Sequence, residues 1–270
     1  MNERLAILAG GGVLPLLLQE KLRDASFFVF CGIKHKLKGS KLTEVRFERL
    51  GDLISHLKKK QITHLILAGS IHRPKLDLNC LDNFSKQLFT KLHGTCEQGD
   101  NSLLGVILSE FEEEGFEITG VTEVLPDLTA PKGILVGAPV SSVAVDITKA
   151  DQVLRLTGEA DIGQAVVIEN GIVLGIETLQ GTDFLLKFVA ATKTHLRSEN
   201  KGILVKRPKL GQDLRVDMPT IGPNTIKLVK KAKLAGIVIS PEKVIILEKE
   251  KTLGLAQKLG VFVLSKKEMT

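Results

Sequence analysis

Short apolar runs alternate with amphipathic segments through the first half of the chain. Buried strands are predicted over residues 4–9, 26–31 and 63–68, because each is an apolar run bounded by turn residues. A helix is predicted over 52–60, where apolar side chains recur on one face. This alternation of strands and helices predicts a parallel sheet with helices packed against it.

The clearest amphipathic helix is predicted over residues 101–114. Its apolar residues follow the i, i+3, i+4, i+7 spacing of a stripe that faces a core, and they are Leu103, Leu104, Ile107, Leu108 and Phe111. This helix belongs to the same α/β arrangement as the strands before it.

Proline and glycine cluster in segment 126–139, which predicts a boundary between two domains. We expect an N-terminal Rossmann-like parallel-sheet domain over 1–130, a linker over 131–139, and a C-terminal catalytic mixed α/β domain over 140–270. In the second half, Asn170-Gly171 between apolar runs predicts a hairpin. The other elements predicted there are helices over 145–158, 184–191 and 224–235 and strands over 203–206, 236–239, 244–247 and 261–264.

Charge and composition narrow the classes of partner. The chain has 37 Lys and Arg against 31 Asp and Glu, a formal net charge of +6 that favours an anionic partner. It lacks Trp and Tyr, which argues against stacking on single-stranded nucleic acid, so no nucleic-acid partner is expected. Three scattered cysteines without a C-x-x-C pair indicate a reducing compartment. No apolar run is long enough to span a bilayer, so we expect a cytoplasmic protein, peripheral to a membrane at most.

A glycine turn follows the first predicted strand. Gly10, Gly11 and Gly12 precede a helix that carries Pro15 in its first turn. Backbone N–H groups at such a turn suit a phosphate, and a turn that only packs is the alternative. The pattern is not a dinucleotide fingerprint, because Pro15 replaces its third glycine and Cys31-Gly32 replaces the acidic residue after the second strand.

Two further segments of the first half carry candidate binding residues. Gly69 and Arg73 follow the third predicted strand, where ligands of open α/β sheets bind. An arginine there can fork onto a phosphate, and a purely structural role is equally compatible with the sequence. Asp100 opens the helix over 101–114, and spacing alone favours a role as its cap.

Polar residues beside glycines mark two segments of the second half. Gln164 leads into the predicted hairpin, and Gly181, Thr182 and Asp183 follow it. Such positions are either turns and caps or parts of a site, and the pattern alone leaves both open.

The segment from Arg215 to Gly222 is the strongest candidate for the chemistry. Arg215 and Asp217 alternate with apolar residues, so an extended backbone would place both on one face. They form either an ion pair or a carboxylate held ready for a metal or a water. The six histidines have no metal-binding spacing, whereas Mg²⁺ on carboxylates stays open.

These segments, in this order, resemble the LpxI family of UDP-2,3-diacylglucosamine pyrophosphatases. The similarity runs nearly end to end and is carried by the ordered set rather than by one motif. The matching pieces are Leu8-Ala9-Gly10-Gly11-Gly12 with Pro15, Ala68-Gly69 with Arg73-Pro74, Gly99-Asp100, Asp161-Ile162-Gly163-Gln164, Glu177, Gly181-Thr182-Asp183, Arg215-Val216-Asp217 and Pro219-Thr220-Ile221-Gly222.

The resemblance implies Mg²⁺-dependent hydrolysis of UDP-2,3-diacylglucosamine to UMP and 2,3-diacylglucosamine 1-phosphate (lipid X), a step of lipid A biosynthesis. It implies two domains with the substrate bound between them, and it ties catalysis to Asp217. We expect Asp217 to bind Mg²⁺ or orient a water, Arg215 to assist, and water to attack the β-phosphorus. The expected substrate-binding residues are Gly10, Gly11, Gly12, Pro15, Gly69, Arg73, Asp100, Gln164, Gly181, Thr182, Asp183, Thr220 and Gly222.

A substrate with two acyl chains resides in a membrane, so we expect contact with the inner-membrane surface, helped by the net charge of +6. Whether the chain forms a homodimer is left open. Two alternatives are kept: a nucleotide-dependent oxidoreductase built on the same sheet, and a non-catalytic carrier of a sugar nucleotide or lipid.

Overall fold

A computed structural model describes residues 4–71, 75–95, 100–139, 143–197 and 202–268 of the chain. The chain divides into two units, Met1–Pro126 (unit 1) and Asp127–Thr270 (unit 2). Both units combine a sheet with helices, which confirms the predicted α/β class.

Unit 1 is built on a parallel sheet. Its elements are β1 Leu5–Ala9, α1 Leu14–Lys21, β2 Ser26–Phe30, β3 Leu42–Val45, α2 Leu50–Lys59, β4 His64–Ala68, α3 Asn83–Thr95, α4 Asp100–Glu113, β5 Glu117–Ile118 and α5 Val121–Val124. The described strands lie in the order β3-β2-β1-β4-β5, and every pair is parallel. The strand order therefore reverses between β1 and β4: β2 and β3 are added on one side of β1, and β4 and β5 on the other. Open sheets of this kind bind ligands at such a point.

Burial on both faces explains why the central strands could be predicted. All five residues of β1 are buried, and Ile7 and Leu8 are almost completely inaccessible. A parallel strand covered on both sides has no polar face, so it is encoded as an unbroken apolar run. Helix α2 buries the face formed by Leu50, Leu53, Ile54 and Leu57.

The glycine turn after β1 packs tightly against the end of β4. The N–H of Gly10 donates to the Ala68 carbonyl at 2.7 Å, and the N–H of Gly11 donates to the Ser70 carbonyl at 2.8 Å. A Cβ atom on Gly10 would lie 2.6 Å from the Ser70 carbonyl oxygen. Glycine is therefore required here by the close approach of two backbones.

Unit 2 is built on a mixed sheet. Its elements are β6 Gly133–Val136, α6 Val143–Glu159, β7 Ala165–Glu169, β8 Ile172–Ile176, α7 Thr182–Ala190, β9 Ile203–Lys206, β10 Thr220–Ile221, α8 Pro223–Lys231, β11 Gly236–Ile239, β12 Ile245–Ile246, α9 Lys249–Leu259 and β13 Phe262–Ser265. The larger sheet has the order β6-β13-β11-β9-β7-β8 among the described strands. Strands β9, β11 and β13 are parallel, whereas β6, β7 and β8 pair antiparallel with their neighbours. Helix α6 packs on one face, and α7, α8 and α9 pack on the other.

The predicted hairpin is confirmed as β7 and β8. Asn170 and Gly171 both have positive φ, 50° and 77°, as a two-residue hairpin turn requires. The carboxylate of Asp146 on α6 accepts hydrogen bonds from the Asn170 and Gly171 N–H groups at 3.2 Å and 2.7 Å. One buried carboxylate thus anchors the hairpin turn to helix α6.

Two predictions of local structure were wrong, and one helix was missed. The segment 131–139, predicted as a linker, contains strand β6, which pairs with β13; its flanking Pro131 and Gly137 bound a short strand rather than a flexible connection. The last helix predicted, over 224–235, ends at Lys231, and Lys233 has a positive φ of 54°. Helix α9 was not predicted at all, because its apolar residues are sparse.

We predict that Gly10→Ala destabilises unit 1 by about 2 kcal/mol, because the added methyl overlaps the Ser70 carbonyl. The matched control is Gly105→Ala in α4, where a Cβ meets nothing within 4 Å and helix propensity should add about 1 kcal/mol. The chain has no Trp or Tyr, so amide hydrogen exchange of β1 and β4 is the suitable measurement. Equal effects of the two substitutions would contradict the packing argument.

Candidate active site

One edge of the larger sheet in unit 2 gathers polar residues from five segments. Strand β7 runs antiparallel to β9, so Ala165 at the start of β7 pairs with Lys206 at the end of β9. Gln164, which precedes β7, and Glu177, which follows β8, therefore reach the same edge as Lys206. The starts of α7 and α8 also lie at this edge, since Lys206 bonds to Thr182 and Thr220.

The side chain of Lys206 forms the centre of this edge. Lys206 is 5% exposed, and its Nζ donates to the Thr182 hydroxyl at 2.7 Å and to the Thr220 carbonyl at 3.0 Å. The Thr182 hydroxyl in turn donates to Glu177 Oε2 at 2.7 Å. The ammonium, the hydroxyl and the carboxylate form one directed hydrogen-bond chain, in which each proton has a defined position.

Burial lowers the pKa of Lys206, and the negative charges of Glu177, Asp183 and Asp217 oppose that shift. The ammonium is thus held in a place that disfavours its charge, next to an acidic group of side chains. When all four groups are ionised, three carboxylates and one ammonium have a formal charge of −2. A perturbed cation among carboxylates at a sheet edge is typical of a functional site.

Asp217 is held by the amide of Gln212. Gln212 Nε2 donates to Asp217 Oδ2 at 2.5 Å and to Gln164 Oε1 at 3.3 Å, and the residue is only 9% exposed. The Lys209 N–H donates to Gln212 Oε1 at 2.9 Å, which fixes the orientation of that amide. A glutamine bonded on both sides sets the position of the Asp217 carboxylate.

The prediction that Arg215 and Asp217 share one face of an extended segment was wrong. The backbone turns here, with the Asp217 N–H donating to the Asp213 carbonyl at 3.0 Å. The Arg215 guanidinium pairs instead with Asp213, from Nη2 to Oδ2 at 2.7 Å. That bond lowers the pKa of Asp213. Arg215 and Asp217 therefore project differently although they are two residues apart.

Three more predicted residues lie at the helix starts of this edge. Gly181 has a φ of 80° and precedes α7, and Gly222 precedes α8. Asp183 in the first turn of α7 accepts from Asn224 Nδ2 of α8 at 2.7 Å. The two helices thus begin side by side, and the positive ends of their dipoles favour an anion at this edge.

Four of the predicted residues of unit 1, namely Gly10, Gly11, Pro15 and Gly69, lie at the carboxyl edge of its sheet. Gly10 and Gly11 use their N–H groups to pair with the end of β4, so these two groups are not available as a phosphate cradle. Pro15 is buried in the first turn of α1, and a Cβ on Gly69 would lie 2.9 Å from its Cγ. Arg73 lies outside the described residues. Asp100 is the first residue of α4, but its side chain is not among those described.

A cleft of about 390 Å³ opens at the ends of β2 and β3 in unit 1. It is lined by Cys31, Gly32, Arg46, Phe47, Glu48 and Lys75. Glu48 accepts from the Asp77 N–H at 3.2 Å and from Arg46 Nε at 3.4 Å, and its pKa is lowered, chiefly by its own backbone N–H. The sequence did not indicate this cleft, because β3 was not predicted.

The donor set at the unit 2 edge bears on metal binding. Within the described residues, no group of three or more His, Cys, Asp or Glu side chains could hold a metal ion. That excludes a self-contained cage there but fits the usual habit of Mg²⁺, which uses one or two carboxylates together with oxygens of a phosphate substrate. Asp217, in the acidic surroundings of Lys206, suits this arrangement.

Sequence reasoning missed the two residues that organise the edge. Lys206 ends the apolar run Ile203–Lys206, and a charged residue at the end of a buried strand was the available signal. Gln212 carried no signal, because it lies in an irregular segment and acts through a contact with a residue five positions later.

Comparison with known proteins gives one consistent relationship over both units. Residues 4–128 match the model of the LpxI N-terminal domain, and residues 131–264 match the model of the LpxI C-terminal domain. A UDP-2,3-diacylglucosamine pyrophosphatase LpxI of Caulobacter vibrioides is 34% identical over 270 residues, covering 97% of this chain and 96% of that protein. None of the helices in the described ranges has the length and apolarity needed to cross a membrane.

We predict that Lys206→Met changes the unfolding free energy of unit 2 by less than about 1.5 kcal/mol, since relief of the buried charge offsets two lost hydrogen bonds. Arg197→Met is the contrast. The Arg197 side chain is also buried, but its Nη2 and Nε both donate to Glu169 Oε2, at 2.7 Å and 3.1 Å, and this buried ion pair makes it structural. Its removal should cost about 3–5 kcal/mol. Hydrogen exchange of β9 and β11 measures the unfolding free energy of both variants. If Lys206→Met lowers it as much as Arg197→Met does, Lys206 has a structural role rather than a functional one.

Proposed function

This chain belongs to the LpxI family, and from that premise we propose that it hydrolyses the pyrophosphate bond of UDP-2,3-diacylglucosamine to UMP and lipid X. The Caulobacter vibrioides relative is named as a pyrophosphatase for this substrate, and the similarity extends over both units. The observation that carries the proposal is the Asp217 carboxylate fixed by Gln212 beside the buried Lys206.

The charge of the site supports a requirement for Mg²⁺. A pyrophosphate diester carries two negative charges, and the group formed by Lys206, Glu177, Asp183 and Asp217 is itself negative. Substrate and site would repel one another without a divalent cation between them. Asp217 would hold that cation together with pyrophosphate oxygens, and the bound cation would neutralise charge on the leaving phosphate.

The reaction assigned to the site is a displacement at phosphorus. A water oxygen forms a bond to the β-phosphorus, the bond from that phosphorus to the bridging oxygen breaks, and the bridging oxygen leaves with UMP. The proton lost by the water passes to a base, for which Asp217 is the candidate. Catalysis of this kind rests mainly on alignment and charge neutralisation.

The side chains around Asp217 then have distinct roles. Gln212 orients the carboxylate, and Lys206 limits the excess negative charge while it holds Thr182 and Thr220 in place. The starts of α7 and α8 receive phosphate oxygens through their N–H groups. Arg215, half-exposed and paired with Asp213, adds positive charge at the margin of the site.

Residues of both units bind the substrate in this proposal. The nucleotide part binds at the carboxyl edge of the sheet in unit 1, to the N–H groups after Gly12 and to the segment that follows Gly69. Two features oppose the alternative function as a nucleotide-dependent oxidoreductase. The N–H groups of Gly10 and Gly11 donate to the Ala68 and Ser70 carbonyls and so cannot bind a pyrophosphate. Strand β2 ends at Phe30 and is not followed by the acidic residue that would bind a ribose.

The decisive experiment measures UMP release from UDP-2,3-diacylglucosamine in detergent micelles. With Mg²⁺ we expect turnover by the wild type, loss on chelation, and recovery on adding Mg²⁺ back. Asp217→Asn should lower kcat by about 10²–10⁴-fold, because the carboxylate acts on the metal or the water. Asp213→Asn, in the same turn but paired with Arg215, is the matched control and should lose less than about tenfold.

The outcomes separate the parts of the proposal. No UMP from the wild type with Mg²⁺ or Mn²⁺ would refute hydrolysis and favour a carrier. Full activity of Asp217→Asn would leave the enzyme in place but remove Asp217 from the chemistry. Activity that survives chelation would refute the metal requirement alone.

A further inference from the structure

An aromatic stripe lies exposed on α7, directly beyond the candidate active site. Phe184 is 58% exposed and Phe188 is 66% exposed, and their spacing of four residues makes them neighbours on one face. Leu179, which precedes the helix, is 87% exposed. The opposite face of α7 is buried through Leu185, Leu186 and Val189, so the helix needs neither phenylalanine for its core.

One lysine lies against this stripe, and others lie on the neighbouring helix α8. The Nζ of Lys187 lies 4.7 Å from the centre of the Phe184 ring. The hydrogen bond between Asp183 and Asn224 aligns the start of α7 with the start of α8. Lys227 and Lys231 lie three and seven residues after Asn224, on the same side of α8, and both are exposed.

The exposed charges of helices α7 and α8 are mainly positive. Helix α8 carries three lysines and no acidic residue, and Asp183, the acidic residue of α7, is bonded to Asn224. The surface formed by Leu179, Phe184, Lys187, Phe188, Lys227 and Lys231, here called the α7–α8 surface, is therefore apolar and cationic together. Such a combination fits an interface of apolar chains with phosphate groups.

We propose that the α7–α8 surface docks the protein on an anionic phospholipid membrane and thereby presents the active-site edge to its lipid substrate. Thr182 and Asp183, which belong to that edge, lie within one turn of Phe184. The phenylalanine rings enter the boundary of the acyl region, and the lysines face lipid phosphates. The docking function rests on the proposed function for its purpose, since a diacylated substrate has to be taken from a membrane.

Charge complementarity selects a membrane over a second copy of the chain. A two-fold contact through this surface would place the lysines of one copy against those of the other, because such contacts use the same patch twice. Anionic headgroups instead neutralise every lysine at once.

The test is sedimentation of the full chain with vesicles of equimolar phosphatidylglycerol and phosphatidylcholine, and with vesicles of phosphatidylcholine alone. The wild type should bind the anionic vesicles at least about tenfold more strongly. Phe184→Ser with Phe188→Ser, and separately Lys227→Gln with Lys231→Gln, should each weaken that binding about tenfold or more. The controls change exposed residues away from the surface: Val145→Ser with Leu156→Ser on α6, 66% and 59% exposed, and Lys149→Gln with Lys267→Gln.

UMP release in detergent micelles keeps the two proposals distinguishable. The Phe184 and Phe188 variant should retain wild-type turnover there, which also establishes that it is folded. Equal vesicle binding by surface and control variants would overturn the docking surface while micellar activity upheld the hydrolase. If the wild type forms a dimer and does not bind vesicles, and the phenylalanine variant is monomeric, the α7–α8 surface serves self-association and the docking proposal is overturned. Vesicle binding that depends on the surface in a protein without hydrolysis would support docking and refute only the proposed reaction.

Discussion

The burial of one ammonium group at the end of β9 governs the arrangement of the candidate active site. Lys206 has lost nearly all contact with water, so its three N–H bonds must find acceptors within the protein. Two of the acceptors are Thr182 and Thr220, which fixes the start of α7 and strand β10 relative to the sheet. Because the Thr182 hydroxyl accepts from Lys206, its own proton is donated to Glu177. The carboxylates of Glu177, Asp183 and Asp217 offset part of the cost of burying the ammonium, and the same three carboxylates form the acidic group that suits a metal-assisted reaction.

The topology of unit 2 makes this arrangement available. Parallel strands present their carboxyl ends at one edge, and the antiparallel hairpin β7–β8 brings its open end to the same edge. Asp146 holds the closed end of the hairpin at the far side, so the open end with Gln164 and Glu177 is fixed as well. The segment that carries Asp217 is irregular, although it lies between regular elements. It has no helix or strand to position it, and the hydrogen bonds of Gln212 to Gln164 and Asp217 hold it instead.

The sequence predicted those features that depend on local patterns. Strand β1 reads as an apolar run because it is buried on both faces, and the hairpin is marked by Asn170-Gly171 because few other pairs adopt that turn. Strand β6 was mistaken for a linker because pairing with β13, distant in the chain, decides its structure. The partner of Arg215 and the role of Gln212 could not be predicted, because each follows from a turn or a tertiary contact that no spacing encodes. The charge at the end of a buried strand marked Lys206, but its hydrogen-bond partners are distant in the chain or lie beyond a loop.

In the proposed mechanism Gln212 acts through the carboxylate of Asp217, and a double-mutant cycle measures this coupling. Single-turnover rates of UMP release would be measured for Gln212→Leu in the wild type and in Asp217→Asn. We expect Gln212→Leu to lower the rate by about tenfold or more in the wild type and hardly at all in Asp217→Asn, where no carboxylate is left to position. An equal loss in both backgrounds would mean that Gln212 acts independently of Asp217 and would refute this coupling.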